Sequence, residues 1–225
     1  AGSALAGRGQ FLTAYTPYQP EVSQGTLTAM FEFQTMIAEI MGLEVANASL
    51  YDGSTATAEA ALMALRLTRR KKILVARSLH PHYRQVLKTY LHNVDAQIQE
   101  IPFSADGTLS REALDQTLGD GVACVVAGYP NFFGVIEPLG EIVSAAHRVG
   151  ALAVAVTTEP LALGVVKSPG EWGADIAVGE GQSLGLPLSY GGPYLGLFAT
   201  RREYVRQIPG RLVGETVDHD GRRAF

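Results

Sequence analysis

The 225-residue sequence predicts an α/β fold, a three-layer α/β/α domain built around a mostly parallel sheet. Three observations carry this expectation. Short continuous apolar runs alternate with amphipathic stretches of helical period, as strands buried on both faces alternate with crossover helices. Glycines and prolines fall between these runs rather than inside them. The composition, 47% apolar and 18% charged, suits a compact core and excludes a disordered tail. At this length one large domain is expected, able to bury roughly 70% of its unfolded surface.

The elements follow in order. From residue 22 onward Leu27, Met30, Phe31, Ile37, Ala38 and Met41 recur at three- and four-residue steps, and Gly42 is placed to end the helix. Residues 54–68 read as a second helix, with Ala58, Ala61, Leu62 and Leu65 on one face. Ile73–Ala76 is then a strand, Tyr83–Leu91 a helix, Gln97–Ile101 a strand, and Arg111–Leu118 a helix with Ser110 as its N-cap. Val122–Ala127 is a fully buried strand, and Pro138–Val149 a helix opened by proline and closed by Gly150. Strands at Leu152–Thr157, Ile176–Val178 and Leu195–Ala199 complete the pattern. No repeat, low-complexity tract or clear linker divides the chain, so residues 1–225 form one domain, entered through an extended N-terminal segment, 1–21. Neither end carries a domain-closing pattern, which leads to the expectation of a piece of a longer subunit.

Charge and cysteine usage narrow the function classes. A net charge of −4 and a pI near 5.7 supply no basic field for nucleic acid or anionic lipid. The basic run Arg69-Arg70-Lys71-Lys72 fits a solvated helix C-terminus better than a binding patch. The single cysteine, Cys124, lies in an apolar strand and reads as core packing, with no internal disulfide to form. No signal peptide, transit-like leader or long apolar span is seen, so no membrane association and a cytoplasmic location are expected.

Four short motifs bear on chemistry. In Tyr51-Asp52-Gly53-Ser54-Thr55-Ala56-Thr57 a Gly-Ser-Thr turn opens a helix, where free N–H groups, hydroxyls and the positive dipole end suit a phosphate. An ordinary serine N-cap accounts for the same residues. Gly181-Gln182-Ser183-Leu184-Gly185 matches G-x-S-x-G, but that elbow needs a helix directly after the serine, and Pro187 and Gly191-Gly192-Pro193 prevent one. The glycines at 179, 181 and 185 imitate a dinucleotide loop with one residue too many. They read instead as a mobile glycine-rich loop. His80-Pro81-His82 lacks further ligands nearby for a metal and sits where loops line the crevice of an open α/β sheet.

The segment FLTAYTPYQPEVSQGT, residues 11–26, has neither helical nor alternating period, and Pro17 and Pro20 discourage regular structure. It nevertheless carries Phe11, Tyr15 and Tyr18, as a segment laid across a surface that uses its rings and hydroxyls would. Phe11-Leu12-Thr13-Ala14-Tyr15-Thr16-Pro17-Tyr18-Gln19-Pro20-Glu21 resembles the signature of the glycine decarboxylase P-protein family, and Gly179–Gly196, GEGQSLGLPLSYGGPYLG, resembles its N-terminal, subunit 1 or alpha type. The resemblance implies the large domain of the pyridoxal-phosphate (PLP)-dependent transferases of fold type I. It implies an oxidoreductase of the glycine cleavage system, which decarboxylates glycine on PLP and passes the aminomethyl group to lipoylated H-protein.

In such enzymes a lysine holds PLP as a Schiff base and a carboxylate faces the pyridinium nitrogen. Here the lysine position is filled by Gln182, and the strand Ala151–Thr158 ends in Thr157, Thr158 and Glu159 rather than an aspartate. The lysines are Lys71, Lys72, Lys88 and Lys167. The resemblance therefore implies no catalytic residue in this chain. The family's split form pairs it with a homologous lysine-bearing P-protein subunit 2, in a heterotetramer, and the partner holds PLP covalently. Tyr15, Thr16, Tyr18, Gln19, Gly191 and Gly192 are expected to face the partner's cofactor or glycine, and Ser54 and Thr55 to form a phosphate turn, working or vestigial. The alternatives are a purely structural or regulatory paralogue and a self-sufficient PLP decarboxylase using Lys167.

Overall fold

A computed structural model describes residues 2–225. Two short helices, α1 (Gly2–Ala6) and α2 (Gly9–Leu12), precede the long α3 (Gln24–Met41). A two-residue strand β1 (Val45–Ala46) and α4 (Gly53–Thr68) lead into β2 (Lys72–Ala76), α5 (Pro81–Leu91), β3 (Gln97–Ile101), α6 (Arg111–Thr117) and β4 (Val122–Gly128). Then come α7 (Leu139–Arg148), β5 (Leu152–Thr157), β6 (Ile176–Glu180) and β7 (Gly196–Thr200), and a small hairpin of β8 (Thr216–Val217) and β9 (Arg223–Ala224). The main sheet has seven strands in the order β1-β7-β6-β5-β4-β2-β3.

The five strands from β3 to β6 are parallel, as buried apolar runs joined by crossovers require. β7 runs antiparallel to β6, and β1 antiparallel to β7. No crossover helix separates β6 from β7: the chain turns back through the glycine-rich loop and pairs with the strand it has just left. The N-terminal segment also departs from the extended reading, because α1 and α2 occupy part of it and a single 3-10 turn covers Pro20–Val22. Prolines are tolerated at the start of such a turn, where no N–H is needed.

Side chains alternate across the strands to make two faces. Ile73, Val75, Cys124, Val126, Val154, Val156 and Val178 pack under α4 and α5, while Leu74, Ala76, Val125, Ala127, Ala153 and Ala155 pack under α6 and α7. A third cluster seats Ile37, Ala38 and Met41 of α3 on Ala177, Leu197 and Ala199. The burial of α4 is broader than one stripe: Ala56, Ala58, Ala60, Ala61, Met63 and Ala64 are all inaccessible, whereas Leu62 and Leu65 are only partly covered. Cys124 is fully buried, and desolvation pushes its thiol up to about 12.

Several polar ties join segments far apart in the sequence. Arg70 of the basic run donates to the carbonyls of Val122 and Val149 at 3.0 and 2.7 Å, so it joins two core elements rather than forming a patch. Two glutamines of α3 each pair with a backbone unit near the C-terminus: Gln34 with both N–H and carbonyl of Val213, and Gln24 with those of Phe225. At the N-terminal edge of the sheet Asp175 is 2% exposed and accepts from the N–H of Ala153, while His147 Nε2 lies 2.7 Å and Arg201 Nη2 3.2 Å from its carboxylate. Asp175→Ala removes the acceptor that ties β5, α7 and the end of β7. It should destabilise the protein by roughly 2–3 kcal/mol, read as a lowered urea midpoint with unchanged slope.

Candidate functional site

The crevice of an open α/β sheet lies beyond the carboxyl ends of its parallel strands. Here β2, β4, β5 and β6 end in Arg77–His80, Tyr129–Asn131, Thr157–Glu159 and Glu180–Gln182. The N-terminus of α4 is drawn against them because Gly53 has no side chain. A Cβ there would stand 2.3 Å from the Tyr83 hydroxyl and 2.9 Å from both Glu180 N and Gly179 C.

The turn before α4 is filled by the chain's own carboxylates. Asp52 Oδ1 accepts from Thr55 N at 2.8 Å and from Ser54 Oγ at 2.5 Å, and Thr55 Oγ1 lies 3.2 Å from Asp52 N, a capping box. Glu180 Oε2 accepts from Gly53 N at 2.9 Å. Burial, with the carboxylates of Glu180 and Asp52 nearby, raises the Tyr83 phenol well above its ordinary value and keeps it protonated. His80 caps α5, its Nδ1 accepting from His82 N at 3.1 Å, and its ring meets Phe132 edge-on at 4.8 Å. Desolvation first, then His82 and Arg84, lower its pKa, so it stays neutral at neutral pH.

The other strand ends are similarly engaged. Thr157 is fully buried and donates to the carbonyl of Tyr129 at 2.9 Å. Glu159 Oε1 accepts from Ser183 Oγ at 2.6 Å and from Leu161 N. Gln182 turns into its own loop, Nε2 donating to the carbonyl of Leu186 at 2.6 Å. The loop contains one 3-10 turn, Gln182–Leu184, and no helix follows Ser183. Lys71 pairs with Asp95 and Lys88 with Glu100, while Lys72 reaches toward the carbonyl of Thr117 and the Lys167 ammonium lies 4.5 Å over the Trp172 ring.

A PLP does not fit this arrangement. Gln182 offers no amine for an imine, Thr157 offers no charge to a pyridinium, and a phosphate at α4 would meet Asp52 and Glu180 head-on.

The N-terminal residues singled out by sequence come together elsewhere. Tyr15, Thr16, Tyr18 and Gln19 line one concavity of about 450 Å3 with Gln10, Thr13 and Ser23. The rings of Tyr15 and Tyr18 are 6.3 Å apart and largely exposed, and the Arg211 guanidinium lies 5.4 Å from the Tyr18 ring. Phe11 and Leu195 border a common apolar groove, which brings the start of this segment beside the end of the glycine-rich loop. Gly191 and Gly192 are not in the concavity. They have φ of +104° and +151°, and among the described residues no atom outside the chain neighbours of Gly191 comes within 4 Å of a Cβ built on it. Sequence reasoning gave Glu180, Tyr83 and Glu159 no role. Only Asp52 left a readable sign, its spacing to Thr55.

Gly53→Ala isolates the close approach. Alanine is the better helix former by about 1 kcal/mol, yet the variant should lose roughly 1–3 kcal/mol in urea unfolding, because backbone and the Tyr83 hydroxyl occupy the space.

Comparison with known proteins places this geometry. The profile of the family described as "Glycine cleavage system P-protein" matches residues 3–225. A protein of Desulforamulus reducens called probable glycine dehydrogenase (decarboxylating) subunit 1 is 57% identical over 221 residues, covering 98% of this chain and 49% of the relative. One of the same description from Anaeromyxobacter dehalogenans is 55% identical, covering 97% and 49%. A crystal structure of glycine decarboxylase (P-protein) of the glycine cleavage system, in inhibitor-bound form, superposes with a TM-score of 0.94 at 57% identity, over 99% of this chain and 50% of that one. A sphingosine-1-phosphate lyase from Burkholderia pseudomallei, TM-score 0.71 at 13% identity over 92% of this chain and 52% of its own, shares the fold. The chain thus spans about half the length of the curated relatives it matches. With the α/β architecture, both signature segments and a match along nearly its whole length, it belongs to the glycine cleavage system P-protein family.

Proposed function

We propose that this chain is the large-domain part of the lysine-free subunit of a two-subunit glycine dehydrogenase (decarboxylating), and that it completes the active site of a homologous, lysine-bearing partner. The observation that carries this reading is the internal use of the crevice. Gln182 braces its own loop where a lysine is needed, and Asp52 and Glu180 fill the turn where a phosphate would sit. The relatives described as subunit 1 support a division of labour between two chains. The partner then holds PLP covalently, and the cofactor supplies the electron sink for loss of the glycine carboxylate. The aminomethyl group leaves on lipoylated H-protein, and the assembly works in the cytoplasm, a setting that suits one buried thiol and no disulfide.

In this reading Ser54 and Thr55 are a vestigial phosphate turn. The contributions come from outward-facing groups. Tyr15, Thr16, Tyr18 and Gln19 offer hydroxyls, an amide and rings from one concavity, and Gly191 and Gly192 offer backbone without side chains, which lets a group held by the neighbour approach closely.

Two measurements test the proposal. After incubation with PLP and borohydride reduction, intact mass spectrometry should show a gain only on the lysine-bearing subunit. A stoichiometric gain on this chain, at Lys167 or any other lysine, would overturn the reading. In the assembled enzyme Tyr18→Phe should lower kcat about tenfold, the worth of one hydrogen bond, with the assembly's sedimentation unchanged. An unaltered kcat would favour a purely structural subunit.

A further inference from the structure

Glu180 has a second consequence, which rests on the reading that the glycine-rich loop faces the partner subunit. Its carboxylate accepts three backbone N–H groups from three separate segments. Gly53 N, at the first turn of α4, donates to Oε2 at 2.9 Å, while Gln182 N and Leu195 N donate to Oε1 at 3.0 and 2.9 Å. Gln182 and Leu195 are the two feet of the loop, and Gly181 N closes the base by donating to the carbonyl of Leu195 at 2.7 Å. A Cβ at Gly181 would meet the Leu195 and Leu197 side chains at 2.9 Å, so the feet are also packed face to face.

Beyond these feet the backbone bonds of the loop gather in its first part, where Leu184 N donates to the carbonyl of Gly181 and Gly185 N and Leu186 N to that of Gln182. Ser183 reaches Glu159, Gln182 reaches Leu186, and Gly191 N donates to the carbonyl of Leu188 at 3.0 Å. The tip carries Leu188 and Tyr190 in full view of solvent, and Ser189 and Tyr190 have φ of +41° and +58°. Non-glycine residues hold such conformations only where the chain around them is firmly fixed. The donors at the base are charge-assisted and one lies at a positive helix end, which makes this the strongest polar anchor of the loop.

We propose that Glu180 is a positioning residue, a clamp that fastens both feet of the loop 181–195 to the first turn of α4 and so holds the Leu188–Gly192 tip out as one fixed projection toward the partner subunit. The carboxylate occupies the seat that the helix end would otherwise offer an external anion. It does so to set the loop rather than to react.

The test uses Glu180→Ala, which releases all three donors, and Glu180→Gln, which keeps the shape but cannot accept from Gly53 with its amide nitrogen. Limited chymotrypsin digestion of the chain, with cut sites mapped by mass spectrometry, should show cleavage at Leu184, Leu188 and Tyr190 faster by about tenfold or more in Glu180→Ala. The increase should be smaller in Glu180→Gln, with unchanged rates elsewhere and an unchanged circular dichroism spectrum. Equal acceleration at all sites, or none in the loop, would overturn the clamp. Should the alanine variant not fold, the glutamine variant carries the same comparison. Titration of the partner subunit onto each variant separates the two readings. Weaker association together with faster loop cleavage supports both, whereas faster loop cleavage at unaltered affinity keeps the clamp and removes the loop from the partner interface.

Discussion

The crevice depends on how closely α4 approaches the sheet. Along its buried side Ala56, Ala60, Ala61 and Ala64 are inaccessible, and bulky β-branched residues of the strands fill the space that alanines leave. At the crevice end even a methyl group is too large. Gly53 meets Gly179 and Glu180, and a Cβ on Gly196 would stand 2.6 Å from the carbonyl of Asp52. Contacts of this kind lose much of their dispersion energy over a gap of half an ångström to one ångström. The helix therefore has one depth at which it packs, and that depth sets its first turn beside the end of β6.

From that placement the chemistry follows. The positive end of a 16-residue helix needs negative charge and hydrogen-bond acceptors. A fold of this kind can offer the seat to a ligand phosphate or fill it from within, and here Asp52 and Glu180 fill it. The same inward turn repeats around the crevice, in Thr157 on Tyr129, Ser183 on Glu159 and Gln182 on Leu186. Among the described residues no buried side-chain nitrogen or oxygen lacks a partner. These crevice side chains thus engage the chain's own loops.

What stays unspent points outward. Tyr15, Tyr18, Tyr51, Leu188 and Tyr190 are exposed, and the N-terminal segment is held from behind by Arg211, itself part of the C-terminal stretch that Gln34 ties to α3. The C-terminal stretch thus backs the N-terminal segment.

Most of the strands and helices were legible along the chain. Gln97–Ile101, which alternates polar and apolar, and the apolar Leu152–Thr157 are strands to the residue, because each is bounded by local stop signals whose effect does not depend on distant partners. The glutamine at 182 is likewise a local fact of chemistry, legible without coordinates. Tertiary structure alone decided the antiparallel return of β7, the two-residue β1 and the helical turns at the N-terminus, since strand pairing and the surface on which a short segment settles are set by residues far away in sequence. Glu180 shows the physical reason most plainly. Its three donors come from positions 53, 182 and 195, and only the folded sheet brings them within 3 Å of one carboxylate.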